Sequence, residues 1–244
     1  MSGMGVPLEV QIGAAKVPKY AVAESGDTLE IIERPLGGIS TVLVDGQRSG
    51  RSARIISNIV ARKAVSLLGE GVRDGAVARA VHDYLRTHRA GQVSAELQMV
   101  SIDLTTRTLV ISRNARCPAH IWQQGKLETL AGPCDPIGIY PYTKPSIIEI
   151  PLAAETYAVL STDGLGLALE SAGNGDEQQD AVGEWVAARA PGRPSAQDLA
   201  DELLEAALEV CEGRPRDDIS VLVVAVLPNA ARDNVRTLSA RFPV

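Results

Sequence analysis

Acidic residues stand at the ends of three sequence stretches that have the composition of buried strands. Residues 41–46 and 157–164 are mostly apolar runs that each end on an Asp-Gly pair, and residues 217–226 begin with two aspartates before an apolar run. If these ends meet in the fold, their carboxylates converge, and protons or cations must then separate the like charges. Carboxylate and carbonyl oxygens, without histidine or thiolate, suit the hard ions Mg²⁺ and Mn²⁺. The three stretches therefore predict a hydrolytic site with two metal ions.

This interpretation depends on the repetition of the pattern. An Asp-Gly pair is also a common turn signal, and Asp45-Gly46 taken alone favours a turn. Asp27 is likewise an ordinary turn residue when it is considered alone. The recurrence of the same pattern at Asp163 is what favours a site over several unrelated turns.

The composition indicates a globular domain with an acidic balance of charge. A chain of 244 residues with 45% hydrophobic content can bury roughly 70–75% of the surface that its unfolded form exposes. We expect one domain over residues 1–244, with a core over about 8–227 and a C-terminal tail over 228–244. The net charge of −6 and the pI near 5.2 argue against a nucleic acid partner, which would need a clustered basic surface.

The N-terminal residues and the cysteines bear on the cell compartment. Residues 1–17 have neither the basic start and apolar core of a signal peptide nor an apolar stretch long enough to span a membrane. We therefore expect a cytoplasmic protein without a membrane partner. Cys117, Cys134 and Cys211 are odd in number and widely spaced, which indicates neither a disulfide framework nor a zinc site. We interpret them as small buried hydrophobic residues.

Two hydrophobic periods divide the chain into strands and helices. Apolar runs predict strands over 8–13, 28–32, 42–44, 96–103, 108–113, 120–123, 147–150, 156–160 and after residue 218. A period near 3.6 predicts helices over 53–68, 73–88, 164–170, 181–190 and 195–211. The polar stretch 171–180 is expected to be a mobile loop. The inward face of the second helix is expected to carry Val77, Ala80, Val81, Tyr84 and Leu85.

The order of these elements indicates the fold class. The middle strands follow one another as in an antiparallel meander, without the regular strand and helix alternation of a parallel sheet. Because an antiparallel sheet needs a covering on each apolar face, two stacked sheets with helices outside are the economical arrangement. We predict an α+β fold, a four-layer α-β-β-α sandwich of two mainly antiparallel sheets flanked by helices.

Six short motifs occur in one order within residues 10–226. In this order and spacing they resemble the metal-dependent type 2C (PPM) serine/threonine protein phosphatases, in particular the bacterial branch that includes SpoIIE, RsbU and RsbX. The fold that this resemblance implies is the sandwich predicted above. The motifs are Ser25-Gly26-Asp27, Asp45-Gly46 before a long helix, Asn114-Ala115 before Pro118, Pro136-Ile137-Gly138, Ser161-Thr162-Asp163-Gly164 and Arg216-Asp217-Asp218-Ile219-Ser220.

The resemblance also implies a role for each acid. Asp45 looks like the acid that bridges two divalent ions, Mn²⁺ or Mg²⁺, and Asp163 looks like a ligand of one of them; both are expected to be catalytic. A water molecule activated by the ions would attack phosphoserine or phosphothreonine in line, without a covalent phosphoenzyme. The metal ligands implied are Asp27, Asp45, the carbonyl of Gly46, Asp163, Asp217 and, as a second choice, Asp218.

The chain departs from the family shortly after Asp45. The bacterial branch usually reads Asp-Gly-Met-Gly at this point, and here Arg48 replaces the second glycine of that motif. Three interpretations are open. Arg48 binds the substrate phosphate, because a guanidinium pairs with two phosphate oxygens; it is repelled by the metal ions and weakens catalysis; or it points into solvent.

A second departure concerns the general acid for the leaving oxygen. Arg116-Cys117 stands where the family commonly has glycine and histidine, so this sequence does not identify that acid. The histidines of the chain are His82, His88 and His120. The first two are expected on the exposed face of a predicted helix, and we interpret them as surface residues.

The resemblance also suggests the kind of substrate. The expected partner is a phosphorylated bacterial regulatory protein, either an anti-sigma-factor antagonist or a stressosome-like scaffold. An alternative from a different class is a weak or inactive relative that binds phosphoproteins without hydrolysing them, and Arg48 favours this alternative. A two-metal nuclease is a more distant option, because the chain has no basic groove in its sequence pattern.

Overall fold

The computed structural model describes residues 7–170, 180–230 and 233–242. The loop predicted over 171–180 therefore lies outside the described residues, apart from Asp180, and so do parts of the predicted tail. The described strands are β1 Leu8–Val17, β2 Thr28–Glu33, β3 Ile39–Gly46, β4 Ala95–Asp103, β5 Thr108–Asn114, β6 Ala119–Gln123, β7 Lys126–Leu130, β8 Ser146–Pro151, β9 Thr156–Ser161 and β10 Ile219–Pro228. The described α-helices are α1 Gly50–Gly69, α2 Asp74–His88, α3 Asp163–Glu170, α4 Ala181–Arg189 and α5 Ala196–Val210.

The strands form two antiparallel sheets. Sheet 1 has the order β1-β10-β9-β6-β7, and sheet 2 has the order β2-β3-β4-β5-β8. Helices α3, α4 and α5 pack on sheet 1, and helices α1 and α2 pack on sheet 2. A third apolar cluster fills the space between the sheets. The predicted four-layer α-β-β-α sandwich is confirmed.

The alternation of side chains along the central strands builds these layers. In β10, Val221 and Val223 face the helices of sheet 1, whereas Leu222 and Val224 face the other sheet. Successive residues of a strand point to opposite faces, so a strand covered on both sides must be apolar throughout. This explains why β10 reads as one continuous apolar run and why it lies in the interior of its sheet.

The middle of the chain does not form a single meander, as the sequence had suggested. The β4 and β5 hairpin belongs to sheet 2, the β6 and β7 hairpin to sheet 1, and the chain then returns to sheet 2 for β8 and to sheet 1 for β9. Strand β7 lies at the edge of sheet 1 and had no counterpart in the sequence prediction. The alternation of polar and apolar residues in β7 is short, and its side chains are partly or fully exposed. Such a pattern is also typical of a loop.

The buried face of α2 also differs from the prediction. Tyr84 is 43% exposed, whereas Ala78 and His82 are buried. Nδ1 of His82 accepts a hydrogen bond of 3.2 Å from the N–H of Gly138. The buried face of α2 therefore includes His82 and not Tyr84. Expecting His82 on the surface was wrong, whereas His88 is exposed and stacks on Tyr84 with ring centroids 5.6 Å apart.

Two further features bear on the expectations from the sequence. Cys117, Cys134 and Cys211 carry free thiols and are partly exposed rather than fully buried. Over the described stretches of the chain, no helix is both long enough and apolar enough to cross a lipid bilayer.

Candidate active site

The three acidic strand ends lie at one edge of the sandwich. Ser161 at the end of β9 pairs with Val221 near the start of β10, so the residues just beyond each strand are neighbours. A Cβ atom added to Gly164 would lie 2.2 Å from the backbone carbonyl oxygen of Asp218. Gln98 of β4 connects the two sheets, because its Nε2 donates a hydrogen bond of 2.7 Å to the carbonyl of Ser161. This bond brings the end of β9 close to the sheet that contains β3.

Asp27 precedes β2 and is buried at this edge, with 1% of its surface exposed. Its Oδ2 accepts hydrogen bonds from the hydroxyl groups of Thr162, at 3.0 Å, and Ser220, at 2.6 Å. Burial raises the pKa of Asp27 to about 6, although the two hydroxyl bonds act in the opposite direction. Two hydroxyl groups from sheet 1 thus fix the carboxylate that the loop before β2 of sheet 2 supplies.

Asp45 is the next-to-last residue of β3 and is partly buried. Burial raises its pKa to about 9, and the negative charges of Asp27, Asp163, Glu96 and Asp217 act in the same direction, in decreasing order. The structure therefore brings together Asp27, Asp45, Asp163 and Asp217, as the sequence had suggested. We call these four residues and Glu96 the acidic cluster; Asp45 is subject to the charges of all the others.

Asp163 and Asp217 occupy the part of the acidic cluster that sheet 1 supplies. Asp163 is the first residue of α3, and Asp217 lies two residues before β10. Burial raises the pKa of Asp163, and the charge of Asp217 raises it further. Oδ1 of Asp217 accepts a hydrogen bond of 2.9 Å from the N–H of Asp218, which fixes its rotamer beside Asp163.

Asp218 has a different role from its neighbour. It is buried, and its two carboxylate oxygens accept backbone N–H groups from Lys19, at 2.9 Å, and Gly26, at 2.8 Å. These bonds hold the loop that leads to Asp27. Because both oxygens already serve backbone donors, we leave Asp218 out of the ligand set, for which it had been a second choice.

Glu96 was missed by the sequence analysis. It is the direct cross-strand partner of Asp45 in the β3 and β4 register, and like charges in that position repel each other. Burial raises its pKa, whereas the backbone N–H groups of Arg116 and Cys117 lower it. A signal was available, because Glu96 stands at the start of a buried strand, as the other acids stand at strand ends.

Gly46 and Arg48 follow Asp45 in the chain. A Cβ atom at Gly46 would lie 2.1 Å from the carbonyl oxygen of Ala53, so only glycine allows α1 to pack against the end of β3. Arg48 has a φ of 78°, a left-handed conformation that costs a non-glycine residue roughly 1–2 kcal/mol. The backbone thus keeps a conformation suited to glycine, while an exposed arginine occupies the position.

Two cations lie beside Asp27. Nζ of Lys16 donates a hydrogen bond of 3.2 Å to the backbone carbonyl of Asp27, and the guanidinium of Arg54 donates to the same oxygen. Burial lowers the pKa of Lys16, and the charge of Arg54 lowers it further. The sequence gave no signal for either residue, since both depend on how α1 and β1 approach the loop before β2.

The histidines do not belong to the acidic cluster. His120 is buried, and its Nε2 lies 2.8 Å from Oδ1 of Asp180. Asp180 is the N-cap of α4 and accepts the N–H of Gly183. Burial alone would raise the pKa of Asp180, but the hydrogen bonds from His120 and Thr129 outweigh this effect and hold that pKa below its ordinary value. His120 therefore fixes α4 on sheet 1.

The acidic cluster has the donor atoms of a metal site. Among the described residues, no three histidine, cysteine, aspartate or glutamate side chains are close enough to form a complete metal site. The donor chemistry nevertheless fits Mg²⁺ or Mn²⁺, because the donors are carboxylates and a carbonyl. Burial raises the pKa values of Asp27, Asp45 and Asp163, and neighbouring carboxylates raise them further; a divalent ion would neutralise this negative charge.

Comparisons with known proteins agree with this architecture. The family model described as Stage II sporulation protein E (SpoIIE) matches residues 35–227, a range that contains Asp45, Asp163 and Asp217. Stage II sporulation protein E of Bacillus subtilis (strain 168) is 21% identical over 225 residues, which are 91% of this chain and 26% of that protein. The chain thus spans about a quarter of that relative.

Solved structures of low sequence identity share the fold. The PP2C phosphatase domain with a regulatory fragment of SpoIIE from Bacillus subtilis has a TM-score of 0.77 and 20% identity, over 91% of this chain and 64% of that one. The RsbU and RsbW domains of a Mycobacterium tuberculosis protein have a TM-score of 0.73 and 19% identity, over 91% and 61%. An S. agalactiae serine/threonine phosphatase has a TM-score of 0.70 and 15% identity, over 89% and 99%.

Proposed function

The chain belongs to the SpoIIE family of PP2C-type phosphatase domains, and we propose that it is a metal-dependent protein serine/threonine phosphatase acting on a bacterial signalling protein. The observation that carries this proposal is the acidic cluster, in which four acids raise the pKa of Asp45 to about 9 together with burial. A protein has no structural need for five converging acids, because they repel one another.

Within this proposal, two divalent ions, Mn²⁺ or Mg²⁺, are held by Asp27, Asp45, the carbonyl of Gly46, Asp163 and Asp217. Asp45 would be one of these ligands, and Asp45 and Asp163 are the catalytic residues of this proposal. When bound, such ions supply an activated water and neutralise charge on the phosphoryl oxygens.

The protein's own groups prepare this site. The hydroxyl groups of Thr162 and Ser220 hold Oδ2 of Asp27, and Asp218 anchors the loop before it. Gly46 allows α1 to begin close to Asp45, so that its free N–H groups favour an anion near the helix start. These contacts orient the carboxylates before any ligand binds, which is the usual requirement for a preorganised site.

A covalent mechanism through the nearest thiol is disfavoured. Cys117 contacts Ser161, with Sγ and Oγ 3.6 Å apart, and burial raises the pKa of this thiol to about 12. The thiolate is the nucleophilic form of cysteine, and little of it exists at neutral pH with this pKa. Direct attack by water on the phosphoserine or phosphothreonine is therefore the step we propose.

The proposed substrate is a phosphorylated regulatory protein, either an anti-sigma-factor antagonist or a stressosome-like scaffold, in the cytoplasm. Structural neighbours that include RsbU and RsbW domains and a bacterial stressosome protein support this class. The net charge of −6 disfavours nucleic acid as a substrate.

A second candidate function is a phosphoprotein-binding module with weak or no turnover. The specific observation in its favour is Arg48, which has a left-handed φ of 78°, a conformation suited to glycine, at a position where the family resemblance implies a glycine. In the favoured proposal, Arg48 instead binds the substrate phosphate. Its exposed guanidinium forms no ion pair with any residue that the structure describes.

Hydrolysis of p-nitrophenyl phosphate with Mn²⁺, with Mg²⁺ and with EDTA distinguishes the two functions. The enzyme proposal predicts metal-dependent turnover that Asp163→Asn abolishes and that Asp83→Asn, an exposed change on α2, leaves unchanged. Turnover that persists in EDTA or in Asp163→Asn would refute it. Turnover that is absent in the wild type and appears in Arg48→Gly would instead support the binding module.

A further inference from the structure

The turn between β5 and β6, residues 115–118, is held by a buried arginine. Arg113 is 1% exposed, and its guanidinium donates to the carbonyls of Ala115, at 2.9 Å, Cys117, at 3.0 Å, and Gly132, at 2.6 Å. No carboxylate pairs with Arg113 among the described residues. A buried charge that serves only backbone carbonyls fixes the conformation of the turn, because each bond it loses would leave that charge less compensated.

Glu96 holds the same turn from the side of the acidic cluster. Its Oε2 accepts the N–H of Cys117 at 3.5 Å, and Glu96 lies directly opposite Asp45 in the sheet. The residue between the two anchored carbonyls is Arg116. The backbone of Arg116 is therefore fixed close to Glu96, which is the cross-strand neighbour of Asp45. The side chain of Arg116 is exposed.

The positive charge of Arg116 influences the acidic cluster, although its guanidinium forms no ion pair with any of these acids. Burial raises the pKa of both Glu96 and Asp163, and the positive charge of Arg116 offsets part of that rise, so Arg116 lies near acids from both sheets. It forms no ion pair with the residues described here. By contrast, Lys16 and Arg54 already donate to the carbonyl of Asp27. Among these three cations, Arg116 is the one whose side chain makes no hydrogen bond or ion pair with the residues that the structure describes.

We propose that Arg116 is a phosphate-binding residue that receives the phosphoryl group of the substrate at the acidic cluster. This inference rests on the proposed function and adds a residue to it. A phosphate dianion that approaches five acids is repelled, and a guanidinium with paired donors offsets part of that repulsion and fixes the phosphate orientation. Arg113 and Glu96 are positioning residues for Arg116, since they hold the turn on which it stands.

Binding of inorganic phosphate to the Mn²⁺-loaded protein, measured by calorimetry, tests this proposal without requiring turnover. A charged hydrogen-bond pair contributes enough that Arg116→Ala should weaken the Kd of phosphate by about tenfold to hundredfold, and Arg116→Lys should recover part of the loss. Arg107→Ala is the matched control, because Arg107 is exposed in the turn at the other end of β4 and β5; it should leave the Kd unchanged. All variants should melt within a few degrees of the wild type.

Three results would overturn the role of Arg116. They are a Kd for phosphate in Arg116→Ala within twofold of the wild type, an equal loss in Arg107→Ala, and no phosphate binding by the wild type at millimolar concentration. Arg48→Ala, measured in parallel, shows whether Arg48 acts as well. Failure of the proposed function is a separate result, because a wild type that binds phosphate through Arg116 but does not hydrolyse p-nitrophenyl phosphate refutes only the enzyme.

Discussion

The replacement of Asp45 by asparagine should make the metal-free protein more stable while it removes the response to metal. Asp45 is nearly isosteric with asparagine, so the change removes an ionisable group without opening a cavity. In the folded protein, burial and four neighbouring acids raise the pKa of Asp45 to about 9. An acid whose pKa is higher in the folded state opposes folding wherever its ionised form dominates the unfolded chain.

The size of the effect follows from that pKa. Asp45 has an ordinary pKa of 3.8, so its penalty is absent below that pH and grows until the pH reaches about 9. About three pH units separate the ordinary value from neutral pH, and at about 1.36 kcal/mol per unit the upper bound is about 4 kcal/mol. The other acids share this repulsion, and we therefore expect Asp45→Asn to gain about 2 kcal/mol at pH 7, or about 4–8 °C in Tm.

Circular dichroism can follow thermal unfolding in EDTA and in Mn²⁺ at several pH values. These melts measure both the gain in stability without metal and the loss of the response to metal. In EDTA, the advantage of Asp45→Asn over the wild type should increase from pH 4 to pH 9. A ligand at 100 times its Kd stabilises the native state by about 2.7 kcal/mol, so saturating Mn²⁺ should raise the Tm of the wild type but have little effect on the variant. The acidic cluster would be refuted if Asp45→Asn were less stable than the wild type in EDTA at pH 8, or if Mn²⁺ stabilised the variant as much as the wild type. The control Asp83→Asn should behave as the wild type.

Three further changes have defined outcomes. Gly46→Ala should lower the free energy of unfolding by about 1–3 kcal/mol, because its Cβ would overlap the backbone of α1; urea unfolding checks this, and Gly132→Ala, with open space around it, should be neutral. Asp180→Ala should lose about 0.5–2 kcal/mol, because the change removes the side chain that caps α4. Since the pKa of Asp180 is depressed, its contribution should be present above pH 4 and be lost as the pH falls through that depressed pKa; melts at pH 7 and pH 3 that show the same difference would contradict this. Glu96→Gln should raise the Tm in EDTA at pH 7, because burial raises the pKa of Glu96 and the change removes a charge opposite Asp45; a lower Tm would show that its bonds to the turn matter more.

The layers of the fold were predictable because burial on both faces leaves a clear pattern. Continuous apolar runs such as residues 219–226 have only one stable location, in the interior of a covered sheet. The assignment of the middle strands to sheets was not predictable, since a hairpin has the same local pattern in either sheet. The prediction of the buried face of α2 was also wrong, because a buried histidine such as His82 is recognised only once its partner, the N–H of Gly138, is known.

The site was predictable to the extent that it is encoded by strand ends. Asp45, Asp163 and Asp217 each adjoin an apolar run, and that is a local signal. Glu96 also stands at a strand end, but its position opposite Asp45 depends on register, and the position of Arg116 depends on the turn after β5; both are long-range properties. The two roles of the adjacent Asp217 and Asp218 also became distinct only through the backbone donors that each carboxylate accepts.

The acidic cluster constrains both candidate functions in the same way. Two unit charges about 4 Å apart interact by roughly 1–4 kcal/mol between water and a protein surface, so several ionised acids oppose the binding of a phosphate dianion by more than one arginine can offset. A module that only binds phosphoproteins therefore needs cations at this edge as much as an enzyme does. Removal of divalent metal should abolish phosphate binding in either case, and binding that survives EDTA would contradict both functions. Turnover is thus the property that separates them, and Arg48 is the residue whose replacement by glycine should decide between them.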